Sequence, residues 1–256
     1  MQNLSIISRY LYAVAIAVFG LQYFIYGDFV PTLFPVPDTV PARIIWVIII
    51  ACVLIVAGVF IAGKLKSRLT ATILGLFFLF LFLVLHIPKI VRSPHDAIAW
   101  TSAFEVLAMV GGAWILADTL PSVALGQRVQ PNALDKIITT GPYLFAISLT
   151  VFGVQHFMYT ENIVALIPGW VPGPILWSYL IGCIFFAVAL SIFLKKKTRL
   201  AAVLLGTMFL SWVLLLHIPR VLANVQKQDE WTNAFVALAM SGISFTLAAA
   251  LKEKNR

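Results

Sequence analysis

Eight stretches of this chain are long and apolar enough to be membrane spans: about 6–27, 42–63, 69–92, 98–119, 137–160, 174–194, 199–222 and 231–251. Crossing a hydrocarbon core about 30 Å thick takes about 20 mostly apolar residues in a helix. The runs are continuous, whereas barrel strands would alternate over about ten residues. In lipid the backbone must bond to itself, which leaves helices as the solution. The expected fold is all-α: a polytopic membrane protein of eight transmembrane helices. Composition agrees, with 61% hydrophobic and 11% charged residues against about 45–50% and 25% in soluble domains.

The net charge of +8 would raise nucleic acid as a partner in a soluble chain. Here the cations cluster in short loops: Lys64, Lys66 and Arg68; Lys195, Lys196, Lys197 and Arg199; and Lys252, Lys254 and Arg256 at the C-terminus. The alternate loops carry Asp28, Asp38 and Glu161, with Arg43. The positive-inside rule then places both termini in the cytoplasm. Lys89, Arg92, Arg220 and Lys227 fall on the outer side and weaken the contrast without reversing it. The expected partner is the bilayer, with no nucleic acid. "AVAIA" in the first segment offers small residues for signal cleavage, but its counterpart near residue 150 is internal, so the first segment is kept as a helix.

The chain repeats itself. A shift of 131 residues aligns Pro41–Ala113 with Pro172–Ser244 without a gap, giving 28 identities in 73 pairs. A shift of 133 aligns VFGLQYFIY at Val18–Tyr26 with VFGVQHFMY at Val151–Tyr159. Each unit holds four helices, and an even number returns the chain to its starting side. The expected organisation is a first four-helix unit at 1–119, a cytoplasmic linker at 120–136 containing Pro121, Gly126 and Pro131, and a second unit at 137–256. The two parallel four-helix bundles would stand side by side like a fused homodimer, with pseudo-two-fold symmetry along the membrane normal. Such a pseudo-dimer can be monomeric. Cys52 and Cys183 are equivalent positions and read as small hydrophobes in a core. They would meet only if the second helices lined the axis.

Polar residues collect towards the outer half of the spans. His86 lies 18 residues beyond Arg68, or about 27 Å along the helix, and Gln22 lies 13 beyond Arg9, or about 20 Å. Phe19, Gln22, Tyr23 and Tyr26 share one helical face, as do Gly75, Phe82 and His86, and Thr101, Glu105 and Ala108. The faces of the first, third and fourth helices are therefore expected to enclose an outward-opening polar pocket. Lys89 and Trp100 stand at its edge. The second unit offers Gln155, His156, Tyr159, His217, Arg220, Trp231, Thr232 and Asn233. Pro88, two residues after His86, removes a helical hydrogen bond and frees the Val84 carbonyl. Each residue also has a structural reading: interfacial belt for the tryptophans and tyrosines, interhelical bonding for the glutamines and histidines, and an ion pair with Lys89 or Arg92 for Glu105. An ionisable group inside a span is a functional candidate by default. Val236 replaces Glu105 in the second unit, so the two pockets should differ, with the first the better candidate for activity.

These elements, VFGLQYFIY…VP and VFGVQHFMY…IPGWVP, HIPK and HIPR, WTSAFEVLAMVGG and WTNAFVALAMSGI, resemble the DoxX/DoxD-like family of four-helix membrane proteins, here as two units in tandem. The resemblance implies a bacterial cytoplasmic-membrane protein. It also implies relatives that serve as subunits of quinone-linked oxidoreductases, and others that act as cargo receptors or chaperones. No universal catalytic motif carries over.

Three functions stay open. The first is a quinone site, alone or with redox partner subunits, in which Gln22 and Thr101 donate to the ring and His86 and Glu105 move the proton as the catalytic pair. The second is a non-enzymatic module binding a lipid, small molecule or partner protein in the same pocket. The third is haem, with His86 and His217 or His156 as axial ligands, which is not the expected cofactor. No H-x-x-x-H or H-x-x-E run suggests a metal centre.

Overall fold

The computed structural model describes residues 2–120, 123–124, 127–128 and 133–253. Lys254 and Arg256, and the linker positions Pro121, Gly126 and Pro131, lie outside the described residues. Among the described residues, eight helices are long and apolar enough to cross a membrane: α1 (Asn3–Tyr26), α2 (Arg43–Ala62), α3 (Ser67–Arg92), α4 (Ala97–Asp118), α5 (Ala133–Met158), α6 (Pro174–Leu194), α7 (Thr198–Ala223) and α8 (Gln228–Leu251). The chain is an all-helical, multi-pass membrane protein. A two-pair antiparallel ladder, Val123–Ala124 with Gln127–Arg128, sits between α4 and α5. The bundle end that carries segments 27–42, 93–96, 159–173 and 224–227, opposite the termini, is called distal below.

α4 and α8 form the centre. Their spanning windows are 78% and 72% buried, against 28–44% for the other six. The halves interlock instead of standing side by side. α1 packs on α2 and on α8, α5 packs on α6 and on α4, and α4 crosses α8. Small residues permit this approach. A Cβ on Gly111 of α4 would lie 2.8 Å from the Gly141 carbonyl oxygen of α5. A Cβ on Gly242 of α8 would lie 2.7 Å from the Tyr12 nitrogen of α1. Helices in lipid have no hydrophobic drive to associate, so close packing and interhelical hydrogen bonds hold them.

α2 and α6 stay at the periphery, each 33% buried. Cys52 and Cys183 are exposed on their surfaces, free and outside the core, which corrects the expectation of buried packing residues. Placing α4 and α8 at the centre moves the second helix of each half outwards.

Both L-H-I-P elements fold alike. A π-helical turn spans Phe82–His86 in α3 and Val213–His217 in α7. The Ile87 N–H bonds the Phe82 carbonyl, and the Ile218 N–H bonds that of Val213. Proline lacks a donor and its ring presses on the carbonyl four residues back. The wider turn absorbs that crowding, and α3 continues to Arg92. The disturbance expected at Val84 thus takes the form of a π turn. Left-handed backbone also recurs at the 131-residue offset, at Ala42 and Gly173, Lys64 and Lys195, and Lys66 and Lys197.

At the other end Arg68 turns inward. Its guanidinium donates to the Ala117 and Leu120 carbonyls at 2.8 and 2.7 Å and pairs with Asp135. It ties the start of α3 to the end of α4 and the start of α5.

Candidate functional site at the distal end

The equivalent positions of the two glutamines in the repeat lead to reciprocal contacts between halves. Gln22 Nε2 of α1 donates to Thr232 Oγ1 of α8 at 3.2 Å. Gln155 Nε2 of α5 donates to Thr101 Oγ1 of α4 at 3.0 Å and to the Ala97 carbonyl at 3.0 Å. Each first helix thus reaches the last helix of the other half. The pocket expected among the first, third and fourth helices of one unit is corrected accordingly: Gln22 and Thr101 belong to different seams.

In the first half the distal end is closed. The segment after α1 folds back, burying Phe29, Val30, Leu33 and Phe34 to 3% exposure or less. Tyr23, fully buried, meets Phe29 and Phe34 edge-on. His86 is 0% exposed, and its Nε2 lies 3.0 Å from the Leu33 carbonyl oxygen. A carbonyl only accepts, so in the neutral ring Nε2 carries the proton and Nδ1 is the acceptor. That Nδ1, Tyr23 Oη and Thr32 Oγ1 are buried without a partner among the described residues.

Arg43, at the start of α2, staples this segment. Its Nε meets Asp28 Oδ1 at 2.6 Å, and its Nη1 donates to the Val36 and Pro37 carbonyls at 3.0 and 2.9 Å. Its guanidinium lies over the Phe29 ring, 5.0 Å from the centroid. The hydrogen bond from Arg43 holds the Asp28 carboxyl below the ordinary carboxylate value.

The second half is built differently at the same positions. Pro174 stands where the alignment puts Arg43, and Glu161 where it puts Asp28. The segment forms a short helix, Thr160–Val164, and then a run through Trp170 in which Leu166 and Trp170 are exposed and Ile167 and Pro168 half-buried. Leu166 aligns with Leu33, and its carbonyl lies 3.4 Å from Arg220 Nη1. Arg220 also forks onto Glu230 at 2.9 and 3.0 Å. His217 is partly buried, makes no hydrogen bond among the described residues, and its Nδ1 is enclosed. An open hollow of about 310 Å³ is lined by Leu166, Trp170, Leu215, Leu216, Pro219 and Arg220, among others. His217 lies in the same turn, next to Leu216, without lining the hollow itself.

The other expected residues are dispersed. His156 Nδ1 faces the Ser178 carbonyl of α6 at 3.0 Å and its ring meets Phe185, so it is engaged with α6. Trp100 and Trp231 bond the Pro94 and Val225 carbonyls at 2.9 Å and stack on Phe104 and Phe235. Tyr26, Tyr159, Lys89 and Asn233 are partly buried at the rim. Glu105 is partly buried and makes no hydrogen bond or ion pair among the described residues, so the alternative pairing with Lys89 or Arg92 is absent. Arg43, Leu33 and Glu230 were not singled out by sequence. Only Arg43 carried a signal, as the one cation in two acidic loops. Leu33 acts through its backbone, which side-chain chemistry does not advertise.

Residues 145–250 match the model of a domain of unknown function, DUF8561. That is less than half of the chain. Searches of curated proteins and of solved structures return no match.

Proposed function

We propose that this chain binds a quinone, or a similar lipid-soluble ligand, at the distal end of its second half, within a quinone-linked redox system of a bacterial cytoplasmic membrane. The observation that carries the reading is the open hollow itself, about 310 Å³, walled by Leu166, Trp170, Leu215, Leu216, Pro219 and Arg220. A volume of about 310 Å³ is at the lower end of the range for ligand sites, roughly 300–1,000 Å³, and suits a single ring head. Its apolar walls and exposed Trp170 would face the head and the start of an apolar tail. The charge of Arg220 is already answered by both oxygens of Glu230, which favours a neutral head over a phosphate.

The site moves from the first half, where His86 is sealed, to the second. The loop charges favour both termini in the cytoplasm, which would set the hollow at outer-leaflet depth. The two interlocked halves act as a fused pseudo-dimer, and electrons would pass to or from a partner subunit. The DoxX-like resemblance adds to this reading but does not carry it.

The test is mass spectrometry of small molecules retained by the full chain after purification in mild detergent. Wild type should retain a quinone-class molecule, Trp170→Ala in the wall of the hollow should lose most of it, and Lys89→Ala at the closed end should keep it. Retention of phospholipid alone would favour the non-enzymatic lipid-binding reading. No retained or added ligand sensitive to Trp170 would end both.

A further inference from the structure

At the end of the bundle that holds the termini, two buried or half-buried arginines are treated differently. Arg68 is answered by Asp135 and two carbonyls. Arg9, in α1, is only 7% exposed, yet among the described residues no carboxylate pairs with it and no acceptor bonds it. Its guanidinium has a cation–π contact with the neighbouring Tyr10 ring, 5.3 Å from the centroid. A guanidinium keeps its charge in a protein, and a buried charge without a counter-charge is strongly destabilising.

Packing fixes where the head lies. Arg9, Ala13, Ile16 and Gly20 recur on one face of α1, and that face presses on α2. A Cβ on Gly58 would lie 2.6 Å from the Ala13 carbonyl oxygen, and one on Gly20 would lie 2.6 Å from that of Ala51. The two helices run in opposite directions, so Arg9, four residues before Ala13, is level with Ala62, four residues after Gly58. Just beyond Ala62 comes the exposed loop with Lys64 and Lys66. The carbonyls of Val59, Phe60 and Ile61 already accept the N–H groups of Gly63, Leu65 and Lys64. Arg9 Nε is enclosed, whereas Nη1 and Nη2, equally unbonded, are not. The stem of the side chain is therefore buried and the outer edge of its fork reaches the surface. Ile6, Tyr10 and Leu65 expose apolar surface at this end.

We propose that Arg9 holds the phosphate of an anionic phospholipid from the leaflet at this end. Nη1 and Nη2 donate to two phosphate oxygens, a geometry that the planar fork matches. Lys64 and Lys66 favour a lipid of net negative charge, as cations beside a membrane surface do. Ile6, Tyr10 and Leu65 accept the acyl chains, which selects a lipid over free phosphate. The second half lacks the site: Lys195 and Lys197 align with the two lysines, but Pro142 stands where the alignment puts Arg9. One lipid per chain follows, at the opposite end from the hollow.

The experiment is native mass spectrometry of the full chain, delipidated in detergent and titrated separately with phosphatidylglycerol, phosphatidylcholine and inorganic phosphate. Wild type should bind one phosphatidylglycerol, about fivefold tighter than phosphatidylcholine, and inorganic phosphate far more weakly. Arg9→Gln should weaken phosphatidylglycerol about tenfold. Lys64→Gln with Lys66→Gln should narrow the preference between the lipids, and Lys195→Gln with Lys197→Gln should leave it. Thermal unfolding separates lost binding from lost folding. Without lipid, Arg9→Met should melt no lower than wild type, because it removes an unanswered charge. Added phosphatidylglycerol should then raise the Tm of wild type and not of Arg9→Met.

Equal lipid affinity in wild type and Arg9→Gln, or an equal rise in Tm in wild type and Arg9→Met, would overturn the site. Phosphatidylcholine bound as tightly as phosphatidylglycerol would overturn the anionic lipid. Inorganic phosphate bound as tightly as lipid, and lost in Arg9→Gln, would overturn the membrane as the source of the phosphate.

Discussion

Leu33 and Leu166 occupy the same place in two copies of one pattern, yet their carbonyls answer to different side chains: the first to His86, the second to Arg220. The π turns beside them have the same length and the same following proline. What differs is the loop above. Arg43 gathers Asp28, Val36 and Pro37 and holds Phe29, Leu33 and Phe34 inside. Where Pro174 replaces it, the loop has no such centre, and its apolar residues Leu166 and Trp170 stay 54% and 68% exposed. Pro174 in place of Arg43, together with Asn162 in place of the buried Phe29, accompanies the change from a sealed end to an open one. A pair of equivalent histidines therefore need not be a pair of equivalent sites.

The strongest way to break this contrast is to hollow out the closed end. Phe34→Ala should cost about 3–5 kcal/mol, because an almost fully buried ring leaves a cavity. Its aligned counterpart, Ile167→Ala, should cost about 1 kcal/mol or less. Reversible unfolding in mixed micelles measures both, and similar costs would show that the loops are equally packed.

Removing the staple comes next. Arg43→Ala gives up the Asp28 ion pair, a longer 3.5 Å pair with exposed Asp38 and two bonds to carbonyls and should cost about 2 kcal/mol. Amide exchange should then accelerate over residues 29–36 and stay unchanged over 160–171. Acceleration in both loops would mean that the staple stabilises the whole distal end.

The interlock between halves predicts a smaller effect. Double-mutant cycles on Gln22 with Thr232, and on Gln155 with Thr101, should each return a coupling of about 0.6 kcal/mol and no more than about 1.7. The Gln155→Leu single variant should cost more than Gln22→Leu, because Gln155 also bonds the Ala97 carbonyl. Zero coupling at both pairs would remove the glutamines as seams.

The smallest effect is on pH. Arg43 lowers the folded-state pKa of Asp28 below its ordinary 3.8. The stabilisation is therefore complete above that ordinary value and is lost as pH falls through the lower folded value. Protection of residues 29–36, measured relative to 160–171 in the same sample, should fall only in strongly acidic solution. A loss beginning near neutrality would assign the closure to another group. Because Asp28 is half exposed, solvent screening keeps this contribution modest.

Much of the architecture was legible along the chain. Continuous apolar runs leave only helices in lipid, and the eight spans fall within a few residues of the expected places. Gln22 and Gln155 stood out as polar residues in such runs, and both bond. Their partners were not legible, since the sequence repeat suggested self-contained units. The glycines at 111, 141 and 242 draw each first helix to the opposite half. His86 and Glu105 were read as neighbours in one pocket. His86 is instead held by a loop carbonyl, and Glu105 has no protein partner among the described residues.

By itself the sequence determined the number and character of the spans, the duplication, and the recurrence of histidine before proline. These are set locally, by hydrophobic length and by proline's missing donor. Only the tertiary structure decided which helix pairs with which, and which histidine is sealed. Those outcomes depend on close approach at glycines and on Arg43 reaching carbonyls six and seven residues away. Backbone acceptors leave no mark in a side-chain pattern, so the sealing of His86 by Leu33 could be seen only once the chain had folded.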